Sequence, residues 1–220
     1  MPPVGLGPSP AMQDERTRIV AAGYDRLSGR YLEWATRIEG DPRDRMLVEL
    51  ARRLPAGGRV LDLGCGPGVP STRALAQHFD VVGVDISAAQ IELARTNVPE
   101  ATFIHGDLTL IDLPEASLDG VTAFYSIAHV PREHHPRVFA RIARWLVPGG
   151  LFLATLGATD DPDWVGEWLG GPMFFSSHDA DTNRALLRAA GFTLERDEAI
   201  TMHEPEGPVT FLWVIARKAE

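Results

Sequence analysis

The sequence predicts an α/β fold: a doubly wound sheet of about seven strands, mostly parallel with an antiparallel last strand, and helices on both faces. Three observations carry this. Apolar strand-like runs alternate with helical patterns from residue 59 to residue 190, as expected for a parallel sheet covered on both sides. The first run ends in a glycine-rich turn, LGCGPG at 63–68, where such sheets commonly bind nucleotides. The last two runs, 192–200 and 210–217, have no helix between them, so they pair antiparallel.

Each element has its own signal. Residues 1–12, MPPVGLGPSPAM, are rich in Pro and Gly and are expected to form a flexible arm. Residues 13–57 read as an N-terminal helical cap, with Met46, Leu47 and Leu50 at helical spacing and Pro55-Ala-Gly-Gly as the stop. The core follows over 58–220. RVLDLG (59–64) is a buried strand, 69–79 a helix with Leu75, Ala76 and Phe79 on one side, and DVVGVD (80–85) the second strand. Ser87 and Gln90 form an S-x-x-Q capping box that starts a helix running to about Asn97. Strands follow at 101–105 and 118–125. Pro131 suits a first helical position, and Val138, Phe139, Ile142, Trp145 and Leu146 make a core-facing stripe behind it. Pro148-Gly-Gly stops that helix before a strand at 151–156. The segment 157–180 reads as a long loop, a lid or acceptor loop. A helix at 182–190, capped by Asp179 or Asp181, precedes the terminal strand pair.

Composition narrows the function. The chain has 220 residues, enough for one domain with a sizeable core, and 45 % are apolar, which excludes a disordered protein. Its net charge of −9 lacks the positive field that nucleic acids need, so no nucleic acid partner is expected. Arg132, Arg137, Arg141 and Arg144 are read as a solvated helix face. Cys65 is the single cysteine, so no internal disulfide forms, which suits a reducing compartment. No run is long enough to span a bilayer and no secretory signal is evident. A cytoplasmic location without membrane attachment is expected.

The glycines set the chemistry. Gly64, Gly66 and Gly68 let a ligand touch the main chain. Asp85 ends the second strand, where an acid accepts both hydroxyls of a ribose. The spacing is G-x-G-x-G; Val69 stands where a dinucleotide fingerprint has its third glycine, which argues against a nicotinamide-dependent reductase. There is no GK[ST] phosphate loop.

VLDLGCGPG (60–68), VGVDIS (82–87) and HGDL (105–108) resemble the class I S-adenosylmethionine-dependent methyltransferases of small-molecule type. FYSIAHVP (124–131), RWLVPGGLFLAT (144–155) and GYDRLSGRYLEW (23–34) extend the resemblance to roughly residues 20–217. It implies a Rossmann-like core with S-adenosyl-L-methionine as cofactor and S-adenosyl-L-homocysteine as product. By that resemblance Gly64, Cys65 and Gly66 line the methionine and ribose, Asp85 holds the ribose hydroxyls, and Ile86 meets the adenine. Asp107 meets the adenine amino group beside Leu108. Tyr125 and Ser126 approach the sulfonium side, and Tyr24 and Tyr31 close over the cofactor. Asp62 is expected to orient backbone near the amino group.

Transfer from a sulfonium needs alignment and exclusion of water, and an acceptor that can lose its proton. His129, on the carboxyl-end rim after the fourth strand, is the candidate general base, against the alternative that it packs, caps or binds cofactor. His134 and His135 are expected to face solvent, and with His129 they make no metal spacing. Asp179 and Asp181 are read as capping residues rather than metal ligands. Trp164, Trp168, Met173, Phe174 and Phe175 are candidate walls of the acceptor pocket. The expected reaction is methyl transfer to an O or N atom of a small molecule by a monomer or homodimer. The alternatives are a non-catalytic cofactor-binding domain, a methyltransferase acting on protein or nucleic acid, and an enzyme that uses the bound cofactor to steer another reaction.

Overall fold

The computed structural model describes residues 14–219; the arm expected at 1–12 lies outside them. Two helices come first, α1 (Glu15–Ala35) and α2 (Arg43–Arg53), with Gly40 at φ 81° in the turn between them. The core then runs β1 (Arg59–Leu63), α3 (Ser71–Ala76), β2 (Asp80–Asp85), α4 (Ala88–Asn97), β3 (Thr102–His105), β4 (Leu118–Ala123), α5 (His135–Trp145) and β5 (Leu146–Gly157). It closes with β6 (Asp161–Trp168), β7 (Gly171–Ser177), α6 (Ala180–Ala189), β8 (Phe192–Glu204) and β9 (Gly207–Lys218).

Seven strands form one sheet in the order β3-β2-β1-β4-β5-β9-β8. β1, β2, β3, β4 and β5 are mutually parallel, while β9 slots between β5 and β8 and runs antiparallel to both. The chain order reverses between β1 and β4, which opens a crevice beyond their carboxyl ends. Both faces of the sheet are covered, so its strands read as continuous apolar runs. Leu61, Leu63, Val121, Phe152 and Val214 pack with α5 and α6, and the alternate residues Val60, Leu151, Leu153, Trp213 and Ile215 pack with α2 and α3.

Several expectations change. The helix expected over 69–79 is only Ser71–Ala76, because the glycine turn consumes its start. The helix expected from Pro131 begins at His135; Pro131 instead caps a single 3-10 turn, and Pro136 takes the first-turn position. The loop expected over 157–180 contains a β-hairpin, β6–β7, outside the main sheet. Its two-residue turn, Leu169 at φ 51° and Gly170 at φ 85°, has the positive dihedrals that match strand twist. His135 is 2 % exposed rather than solvent-facing, because it forms the inward corner of α5 and bonds the Val130 carbonyl through Nε2. Of the arginines read as a solvated face, Arg137 is exposed but Arg141 lies over Trp145 and donates to the Thr109 carbonyl.

Candidate functional site

The turn after β1 answers to three different neighbours. All three of its glycines have positive φ: 72° at Gly64, 54° at Gly66 and 77° at Gly68. A Cβ on Gly64 would stand 2.3 Å from the Ser126 Cβ, and one on Gly68 would press on Val98 and Ala94 of the α4 segment. A Cβ on Gly66 would meet no protein atom within 4 Å. At Gly64 and Gly68 the missing side chain therefore serves packing, and at Gly66 alone would a side chain point into open space.

Carboxylates surround that space. Asp85, at the tip of β2, is buried and accepts from Gly66 N (2.8 Å) and Ser87 N (2.9 Å). Burial nevertheless pushes its pKa up to about 6. Asp107 ties down its own turn by accepting through Oδ1 from Thr109 N and Oγ1, and its other oxygen has no protein donor among the described residues. Asp62 departs from its expected part. It does not orient backbone; it accepts the hydroxyls of Thr72 and Thr122 at 2.6 and 2.8 Å, fastening α3 and β4 to β1. Of the S-x-x-Q box only half forms: Ser87 Oγ accepts from Gln90 N, but the Gln90 amide makes no return bond. Ser87 Oγ instead donates to Asp25, which also accepts from Ala89 N, so α1 caps α4 from outside and is pinned over the crevice.

The crevice is a cleft, partly open to solvent. Tyr24, Tyr31, Gly64, Gly66, Asp85, Ile86, Asp107, Leu108, Tyr125, Ser126 and His129 all line it. Cys65 does not. Its side chain points the other way into a cluster with Ile91, Ala94, Val98 and Phe103, and burial pushes its thiol pKa well up, so it is inert. Phe124 and Val130, both within FYSIAHVP, also line the cleft, as do Thr17, Val20 and Thr109, which lie outside every motif.

A second, wider chamber adjoins the cleft and shares Tyr24, Tyr31, Tyr125 and His129 with it. Trp164, Trp168 and Phe175 line this chamber. Met173 and Phe174 do not; both are fully buried under α1 with Val20 and Leu27. Strand alternation separates Phe174 from Phe175, which point to opposite sides of β7, while Met173 is buried against Gly23 of α1. Trp34, Glu204, Val209 and Phe211 complete the wall and escape sequence reading. Glu204, Val209 and Phe211 arrive from the far end of the β8–β9 hairpin, which β9 carries back past β5.

His129 sits at the junction. Its Nδ1 lies 2.8 Å from the Phe174 carbonyl, so Nδ1 carries the proton; its Nε2 then accepts from the Tyr24 hydroxyl at 2.8 Å. Burial lowers its pKa to about 4, which keeps the ring neutral near pH 7. Tyr125 adopts φ 60°, a strained conformation that turns its ring from β4 toward Arg43 (4.8 Å) and Phe211 (5.2 Å).

Asp179 caps α6 by accepting from Thr182 N, as expected, while Asp181 pairs with Arg184. Asp14, Glu133 and His134 approach one another closely enough for a cation. Arg16 already supplies one, bonding Asp14, Glu133 and Asp163. No helix among the described residues is long and apolar enough to cross a membrane.

Residues 60–150 match a family described as a methyltransferase domain. A 27-O-demethylrifamycin SV methyltransferase of Amycolatopsis mediterranei is 34 % identical over 176 residues, covering 72 % of this chain and 63 % of that protein. The chain spans between 40 and 64 % of the length of the curated relatives it matches. Two solved structures share the fold almost throughout. The 1,6-didemethyltoxoflavin-N1-methyltransferase of Burkholderia thailandensis, with 1,6-didemethyltoxoflavin and S-adenosylhomocysteine bound, has a TM-score of 0.72 at 22 % identity and covers 99 % of this chain and 95 % of its own. The cyclase SpnF has a TM-score of 0.70 at 19 % identity and covers 98 % of this chain and 99 % of its own. The open face of Gly66, the ionisable Asp85 at the strand tip and the spare oxygen of Asp107 suit an adenosine. Motif, sheet order and relatives agree: residues 60–150 match a methyltransferase domain, and the chain has the Rossmann-like fold of the S-adenosylmethionine-dependent methyltransferases it resembles.

Proposed function

We propose that the protein transfers a methyl group from S-adenosylmethionine to an O or N atom of a small molecule held in the aromatic chamber. The observation that carries this is the shared wall: Tyr24, Tyr31, Tyr125 and His129 border both the cofactor cleft and the chamber, so a guest in one meets a guest in the other.

Bound in the cleft, the cofactor supplies an activated methyl on a sulfonium whose leaving group is a neutral thioether. The chain's own residues orient it. Asp85 takes the ribose hydroxyls, Asp107 the adenine amino group, and Ile86 and Leu108 flank the ring. Gly64 and Gly66 present main chain to the ribose and methionine, and the Tyr125–Ser126 turn faces the sulfonium. Trp164, Trp168 and Phe175 wall the acceptor away from water, which strengthens the charge interactions of the site. With His129 Nε2 taken by Tyr24, the acceptor's proton reaches it only in relay. The acceptor gives its proton to the Tyr24 oxygen as the Tyr24 proton passes to Nε2, and Phe174 O steadies the resulting imidazolium through Nδ1.

A chamber bordered by the acids Asp161, Asp163 and Glu204 supports a small acceptor over a phosphate-bearing polymer. The test is formation of S-adenosylhomocysteine with panels of amines, phenols and carboxylates, alongside calorimetry with S-adenosylmethionine. Cofactor binding without turnover on any panel would leave a binding domain and sink the transferase reading.

A further inference from the structure

The chamber has a one-sided charge. Tyr24, Tyr31, Trp34 and Trp168 pack edge to face, stacked or tilted, with ring centroids between 5.3 and 6.3 Å apart, and all four border its space. Its charged lining residues are the acids Asp161, Asp163 and Glu204, and no lysine or arginine lines it among the described residues. Two of those acids already have partners: Asp163 pairs with Arg16, and Asp161 accepts the Thr159 hydroxyl. Glu204 differs. Its side chain makes no hydrogen bond or ion pair among the described residues. Its neighbour is another acid, Glu206, whose own carboxylate is held by Trp34 Nε1 at 2.9 Å. Partial burial and the Glu206 charge push the Glu204 pKa up to about 7. The Glu204 charge also reaches the hydroxyls of Tyr24 and Tyr31, where it opposes their ionisation.

A carboxylate without a counter-ion at the edge of an aromatic box is complementary to one ligand chemistry. The faces of Trp and Tyr rings attract cations, most strongly where water is excluded, and a carboxylate adds a charge-assisted hydrogen bond. A carboxylate-bearing guest would meet Glu204 with like charge and find no cation in the wall. A neutral alcohol would use the apolar surface and leave the Glu204 charge unanswered.

We propose that the acceptor is a lipophilic amine, bound as its ammonium against Glu204 with its apolar body among Tyr24, Tyr31, Trp34 and Trp168. This rests on the reading of the chamber as the acceptor site. The ammonium is an anchor, and the aromatic faces fix how the rest of the molecule lies toward the shared wall.

The test uses the full chain saturated with S-adenosylhomocysteine and calorimetric titration with three probes of equal size: 2-phenylethylamine, 2-phenylethanol and phenylacetate. The amine is expected to bind at least tenfold more tightly than the alcohol, and the acid not measurably. Glu204→Gln is expected to bring amine and alcohol within about twofold while the Kd for S-adenosylhomocysteine stays unchanged and the melting temperature does not fall. Equal affinity for amine and alcohol in the wild-type protein, including no binding of either, overturns the proposal, as does an amine preference that survives Glu204→Gln. The wild-type comparison stands alone if the variant fails to fold. Failure of the methyltransferase reading would show elsewhere, as no formation of S-adenosylhomocysteine from S-adenosylmethionine in the turnover panels.

Discussion

Asp85 accepts two backbone N–H groups, yet burial leaves its pKa pushed up to about 6. Ribose hydroxyls donating to the carboxylate favour its ionised form, so binding below that pH must expel a proton. Cofactor affinity is therefore expected to be level above about pH 6 and to fall below it, approaching tenfold per pH unit. Asp85→Asn is expected to weaken binding about 100-fold and to abolish this slope; calorimetry between pH 5 and pH 8 reads both. The glycines divide in the same way. Gly64→Ala drives a methyl into Ser126 and should lower the melting temperature, whereas Gly66→Ala meets no protein atom and carries only the positive-φ penalty, about 1 kcal/mol. Its larger effect is expected on cofactor Kd. The Tyr24–His129 pair is a single device. Tyr24→Phe and His129→Ala should each lower kcat about 100-fold with hydroxyl acceptors, and the double variant should lose little more than either single one. Additive losses would show that the two residues act independently.

The roof of the site is assembled from elements remote in sequence. α1 packs on β7 and on α4, and the β6–β7 hairpin hangs outside the main sheet. Arg16 joins these parts, bonding Glu133 on the rim and Asp163 on β6 and lying 5.6 Å from the Phe174 ring. Such partly exposed ion pairs contribute little to global stability. Arg16→Ala is therefore expected to shift the melting temperature by no more than about 3 °C. It should raise the acceptor KM severalfold and speed amide exchange in the hairpin, with cofactor affinity unchanged. If exchange in the hairpin is unaltered, the arginine does not fasten the roof.

At the scale of the molecule, buried titratable groups set the response to acid. The pKa of His135, buried among the α5 core residues, is lowered to about 4, mainly by loss of solvent, and its Nδ1 has no protein partner. The unfolded chain takes up the proton first, near its ordinary value of about 6.5. The His135 contribution is thus full above about pH 6.5 and is lost as pH falls toward 4. His129 behaves alike. Asp85 and Glu204 act in the opposite sense, because their raised pKa values make protonation favour the fold. Denaturant unfolding of the wild-type protein and His135→Gln isolates the histidine. The stability difference between them should move by about 2 kcal/mol against the wild type between pH 7 and pH 5.

Residue order alone was enough for the sheet, since strands buried on both faces must be apolar throughout, and for the cleft, since the glycine turn and Asp85 lie at successive strand tips. A cap on α6 was equally local, though only the structure chose Asp179 over Asp181. Other features depend on which segments meet. Strand alternation tells that neighbours such as Phe174 and Phe175 face opposite ways, but the packing of α1 decides which of them is core and which is wall. His129 gives no sign that Tyr24 occupies its basic nitrogen, because the two are brought together across the sheet's rim. Glu204 reads as an ordinary hairpin acid until β9, inserted between β5 and β8, carries that hairpin to the chamber. Local chemistry is written along the chain, while proximity between distant segments comes from packing, and the acceptor side of this site is made almost wholly of such proximity.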